Sequence, residues 1–455
     1  MKNTLIMLCT VLCTAVMAQD HSEAIQKIYQ EQLNNSHAYE NLRYLTKEIG
    51  NRLSGSPRAA AAVEYTRQLM KGYGFDTVFL QPVMVPHWVR GKKEVARIIN
   101  SNKLGTYALN PIALGNSVGT GSEGVVAEVV EVTNMQQVED LGKALEGKIV
   151  FFNLKADLNL VNSFRAYGGT VIQRVWGASE AAKYGAKAVI VRSATNFQDD
   201  IPHTGTLRYK PNIAQIPAAA ISTNEADMLS GLLQGQDDLK IYLETNCGMQ
   251  GEKLSYNVVG QLTGSEFPDE FIAVGGHLDS WDVGEGAHDD GAGCVQGIEV
   301  LRTYKALGIQ PKRTLRAVMW MNEENGGAGG RGYANYVEEH GEKHIAAMES
   351  DRGGFVPRGF TSTGTDAQKA QLQSWGEKYF TQYELHSFDQ PGGGADIGPL
   401  APQGTFLIGL LPDSQRYFKY HHTAADVFEN VNQRELVLGA AAMTAMIYLV
   451  DQEGI

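Results

Sequence analysis

Between Gly275 and Gly293 the chain reads GGHLDSWDVGEGAHDDGAG, two histidines and five acidic residues set among glycines, directly after the apolar run FIAV. Carboxylates crowded against a buried strand repel one another and are costly to desolvate unless a cation balances them. Imidazole and carboxylate together suit zinc, and a catalytic zinc keeps a position open for water or substrate. One Asp bridging two cations holds them about 3.5–4 Å apart, as in two-metal hydrolases. A solvated acidic turn, with one Asp capping the next helix, is the ordinary alternative for this stretch taken alone.

Other segments carry matching residue types. Glu323 and Glu324 follow TLRAVMWMN, Asp351 follows HIAAMES, and His422 lies in YHHTAAD beyond GTFLIGLL. Each falls just past a predicted strand, as His277 and Asp279 follow FIAVGG. Open α/β sheets bind ligands at the carboxyl ends of their strands, so separate segments converge on one rim. The adjacent Glu323 and Glu324 can divide their work, one ligating a metal and the other staying free as general base. Singly, each motif has a plainer explanation: NEENGG as an exposed turn, His277 with Asp279 as a loop His and a cap. GGAGGRG lacks the Lys-Ser/Thr of a phosphate loop and reads as a flexible turn. YHHTAAD needs only one functional histidine. His203, in IPHTG, reads as a loop residue, and Asp366 and Glu377 as solvated helix charges.

The elements that must position these residues follow from the hydrophobic pattern. Apolar residues at three- and four-residue spacing predict helices in AIQKIYQEQL and AAAAVEYTRQLMKGYGF, with Ser56 and Pro57 as cap and first turn. Residues 105–252 carry their own short strands and two helical pieces, and predict an inserted domain. From 253 onward apolar strands alternate with amphipathic helices, which predicts an α/β fold with a buried sheet and helices on both faces. Residues 19–104 form the N-terminal part of the same domain, and 253–455 its main part with the metal site.

Bulk properties narrow the class. The chain has 455 residues, 43% hydrophobic and 20% charged, which suits a globular protein of two or three domains. The net charge of −12, with no Lys/Arg-rich block, argues against a nucleic-acid partner. Residues 1–18 combine Lys2, a short apolar run and AVMA, and predict a signal peptide. No later run reads as a membrane span, so the expected protein is soluble and exported, periplasmic or extracellular. Cys9 and Cys13 leave with the signal. An oxidising compartment permits a Cys247–Cys294 disulfide, although separate thiols are favoured, with Cys294 on an apolar helix face.

Together RLSGS, PHWVRG, HTG, IPAAAI, GGHLDSWDVGEGAHDDGAG, PKRTLR, NEENGG, MESDRG and HHTAAD resemble the co-catalytic zinc aminopeptidase family, in its plasma glutamate carboxypeptidase type, over nearly the whole mature chain. The resemblance implies two zinc ions per chain. His277 and Asp351 would hold one, Glu324 and His422 the other, and Asp289 would bridge them. Glu323 would be general base and acid, deprotonating a metal-bridging water, while Asp279 would orient His277 by a hydrogen bond. It further implies a cis peptide after Asp289, a protease-associated-like insert, a homodimer, and a small peptide substrate: dipeptides or the N-terminal residues of short peptides. Arg352, directly after Asp351, either bears on substrate choice or faces solvent. A non-catalytic receptor-like homologue would have lost ligands, and a glutaminyl cyclase-like mono-zinc enzyme would lack the insert and the full set; neither fits these residues.

Overall fold

The computed structural model describes residues 20–455, so the expected signal segment lies outside the described residues. The chain builds a seven-stranded sheet in the order Thr77–Val89, Gly248–Leu262, Arg313–Trp320, Phe267–His277, Lys343–Glu349, Phe406–Pro412, Pro357–Thr363. The strands from Arg313–Trp320 to Phe406–Pro412 run parallel, while both margins are antiparallel, so the sheet is mixed. The period of two in a strand explains the layering. Ile272 and Val274 pack with Ile298, Leu301 and Met446 on one face. Ala273, between them, packs with Tyr333 and Val337 on the other. Helices Ala292–Leu307 and Gln433–Glu453 cover the first face and Ala328–Glu339 the second. Burial on both faces is why these strands read as continuous apolar runs.

Gln433–Glu453 is long and apolar enough to cross a bilayer, yet it packs as a core helix against the sheet and against helices Ser22–Asn35 and Ala292–Leu307. The start of helix Pro57–Gly72 is as expected: the Ser56 side chain accepts from the Ala59 N–H, with Pro57 in the first turn.

The chain leaves this sheet after Val89 and returns at Gly248. Between, it forms an eight-stranded sheet with its own apolar clusters. This sheet begins at Val95, ahead of the expected start at 105, and its last strand in the chain ends at Glu244, short of 252. Val95–Ser101 pairs antiparallel with both Gly105–Leu109 and Lys240–Glu244, so residues 102–104 are a tight turn inside the inserted unit and not a boundary. Gly248–Glu252 instead pairs with Pro86–Val89 in the first sheet. Cys247 and Cys294 are separate buried thiols.

Candidate metal centre

Every sequence-predicted site residue comes to the carboxyl edge of the parallel strands. His277 ends its strand, Glu323 and Glu324 follow Arg313–Trp320, and Asp351 follows Lys343–Glu349. His422 lies just beyond the short helix Tyr417–Tyr420. Asp289 sits between two groups. Its Oδ1 is 3.2 Å from His277 Nε2, which is also 3.5 Å from Asp351 Oδ1. Its Oδ2 is 3.4 Å from His422 Nε2, which is 3.1 Å from Glu324 Oε2. The Asp289–Asp290 peptide is cis, as expected.

The donors fit a cation. His277 is fully buried and Asp289 and Glu324 nearly so, while His277 Nε2 and Asp289 Oδ2 have no hydrogen-bond partner. Buried lone pairs that converge without a donor between them are expensive unless an ion occupies the gap. Ligand atoms of His277, Asp289 and Glu324, of His277, Asp290 and Asp351, and of Asp289, His421 and His422 each lie within 4.8 Å of one another.

Surrounding residues fix these side chains. His277 Nδ1 is 2.9 Å from the main-chain carbonyl of Asp279, which sets Nε2 toward the centre as the acceptor. The Asp279 carboxylate is not the partner: its Oδ1 lies 3.9 Å from Nδ1. That oxygen instead accepts the N–H groups of Asn322 (2.6 Å) and Glu323 (3.0 Å), so Asp279 holds the turn that carries the glutamates. Asn322 takes a left-handed φ of 75°, a conformation Asn tolerates better than most residues. The Trp281 N–H donates to Glu324 Oε1 at 3.2 Å. Asp290 accepts the His277 N–H through one oxygen and the Gly293 N–H at the helix start through the other.

Glu323 is only partly buried and faces an open cavity. Burial pushes its carboxyl up to about 8; His277 opposes this, and the charges of Asp351, Asp289 and Asp279 add to it. A carboxyl poised there can both take and return a proton near neutrality. His288, by contrast, is structural. It stacks on Phe355, its Nε2 contacts the Asn430 carbonyl, and burial lowers its pKa to about 4.

Sequence reasoning passed over several contributors. Asp426 accepts the N–H groups of His288 and Asp289 and so fixes the backbone of the central ligand. The TAAD spacing after His422 was its signal. Arg52, fully buried, donates to the carbonyls of Leu278, Glu285 and Gly286 and ties down the acidic loop. The inserted unit also reaches the site: its Tyr167, Arg174 and Arg208 line a cavity of about 620 Å³ together with Glu323, Asp351 and His421. His203 lies on a loop, as expected, but is 2% exposed rather than at the surface. Arg352 is partly exposed and does not line this cavity; its guanidinium carbon lies 4.8 Å from the ring centroid of Phe164 in the inserted unit.

Residues 257–447 match the family described as peptidase family M28. The chain is 35% identical over 422 residues to carboxypeptidase Q of Bos taurus, covering 91% of this chain and 85% of that one. It superimposes on a peptidase M28 precursor from Shewanella amazonensis SB2B with a TM-score of 0.90 and 32% identity, over 96% and 97% of the two chains. A zinc aminopeptidase from Bacillus subtilis shares the fold at a TM-score of 0.67 and 19% identity, over 93% and 97%. Taken with these relatives, the mixed α/β sheet with His and carboxylates gathered at its rim marks the chain as a zinc metallopeptidase. The relationship over nearly the whole length makes the assignment specific: the chain belongs to peptidase family M28.

Proposed function

We propose that the protein is an exported, homodimeric exopeptidase with two zinc ions per chain that hydrolyses dipeptides and the N-terminal residues of short peptides. The observation that carries this reading is Asp289, whose two oxygens face two separate donor groups, His277 with Asp351 and His422 with Glu324. Zinc held there supplies Lewis acidity for the scissile carbonyl and lowers the pKa of water. Glu323, at the cavity wall, takes the proton of the attacking water and returns it to the leaving amine. Asp279 keeps the Glu323 main chain in place through two accepted hydrogen bonds.

The cavity is charged unevenly. Carboxylates occupy the metal side, while Arg174, Arg208 and Arg331 line the rest. Among the described residues no carboxylate lies within 4.0 Å of these three guanidinium groups. Arg174 is 7% exposed, with its Nη1 3.3 Å from His422 Nδ1 and its guanidinium carbon 5.6 Å from the Tyr167 ring centroid; a buried cation with no carboxylate beside it favours a ligand that brings one. The carboxylate of a short free peptide meets that need. The test is a panel of free dipeptides against their N-blocked and C-amidated forms, with the zinc-loaded protein. Turnover of free dipeptides with loss on N-blocking is expected; no turnover of any of them by fully loaded protein contradicts the reading.

A further inference from the structure

The two donor groups are held by different parts of the molecule. His277 is oriented by the Asp279 carbonyl in its own loop, and Asp289, Asp290 and Asp351 all belong to the first unit. His422 rests on the inserted unit. Its Nδ1 lies 3.3 Å from Arg174 Nη1 and 3.4 Å from the Thr204 carbonyl, and its own carbonyl accepts the Thr204 N–H at 3.0 Å. A Cβ on the next residue, Gly205, whose φ is 125°, would lie 2.5 Å from both His422 Nδ1 and Arg174 Nη1, so glycine is needed where this loop meets the two side chains. His422 also has a φ of 62°, in the left-handed region that few residues other than glycine occupy.

The segment leading to His422 is gripped in the same way. The Thr195 hydroxyl donates to the Phe418 carbonyl at 2.6 Å. Phe164 stacks on Tyr417 with centroids 5.3 Å apart, and Tyr167 stacks on Phe418 at 4.5 Å. His203, beside Thr204, is buried beneath this contact.

We infer that the inserted unit is a clamp that builds one of the two metal positions: Thr204 and Gly205 are positioning residues for His422, and loosening them weakens the Glu324–His422 position while leaving the His277–Asp351 position intact. Metal loading is then stepwise, and the second ion reports whether the inserted unit is docked. The inference rests on the dinuclear reading above.

The test is zinc titration of metal-depleted full-length protein against a chromophoric chelator, on wild type and Gly205→Ala, with cobalt spectra read at each step. Removing an orienting partner of a metal ligand costs about 10–100-fold in affinity. One of two binding steps should therefore weaken by about that factor in Gly205→Ala, with the other unchanged and only one component of the cobalt spectrum altered. Equal weakening of both steps, or no change in either, overturns the inference. Should Gly205→Ala fail to fold, Thr195→Val, which removes the bond to the Phe418 carbonyl and the acceptor of the Phe197 N–H, is expected to weaken the same single step by a smaller factor, and no selective effect there overturns the clamp. A wild-type protein that takes up a single zinc contradicts the dinuclear reading itself and not merely the clamp.

Discussion

Glu323 and Glu324 are neighbours in sequence, but their surroundings separate their roles. Glu324 is pinned between the Trp281 N–H and His422, whereas Glu323 faces the cavity. Glu323→Gln keeps the shape and removes the base, so kcat should fall about 10²–10⁴-fold while zinc content measured by elemental analysis stays at the wild-type level. Loss of zinc in that variant would make Glu323 a ligand instead. Asp279→Ala should act through the turn: it frees the Asn322 and Glu323 N–H groups, and leaving them unsatisfied costs about 1–3 kcal/mol each. The expected outcome is reduced kcat and a lowered melting temperature together. The gathered residue types were legible in the sequence because the chemistry of a metal site restricts them to His, Asp and Glu after strands. The bond that orients His277 was not, because a spacing of two residues does not distinguish the Asp279 carbonyl from its carboxylate.

At the scale of elements, helix Ala292–Leu307 starts directly under the centre, and its approach is set by Gly293. A Cβ at Gly293 would lie 1.9 Å from the Ser350 carbonyl oxygen and 2.5 Å from the Asp290 carboxylate. Gly293→Ala must therefore push the helix away from the strand that leads to Asp351. Overpacking of this kind costs about 1–3 kcal/mol; a lowered denaturation midpoint, with zinc affinity falling alongside it, is expected, and unchanged stability would mean the helix shifts freely. The strands after residue 253 were legible because a strand buried on both faces is largely apolar, as in Phe406–Pro412. The edge of the inserted unit was not. VARIINS reads equally well as a strand of either sheet, and only its pairing with Lys240–Glu244 assigns it.

The whole molecule is two sheets meeting over one cavity. That meeting was not legible in the sequence, because the loop that does it, HTG at His203–Gly205, has the composition of any turn, and its partner His422 lies far along the chain. Apolar burial also holds titratable groups far from the centre. His344 is 5% exposed and contacts the Tyr333 hydroxyl; burial, with the nearby Arg316 charge, pushes its pKa from 6.5 down to about 3. Between those values the unfolded chain binds a proton that the folded protein refuses, so this histidine's contribution to stability is present at neutral pH and is lost as pH falls. His344→Gln should flatten the pH dependence by about 1.4 kcal/mol per pH unit between about pH 6 and pH 4, measured by chemical denaturation. An unchanged slope would place the protonated ring in solvent.

The central claim is that Asp289 joins two zinc ions, and anomalous scattering from crystals at the zinc absorption edge tests it most directly. Two peaks are predicted, one bordered by His277 and Asp351 and the other by Glu324 and His422, each next to an oxygen of Asp289. A single peak in fully loaded protein, or peaks away from Asp289, would contradict the account.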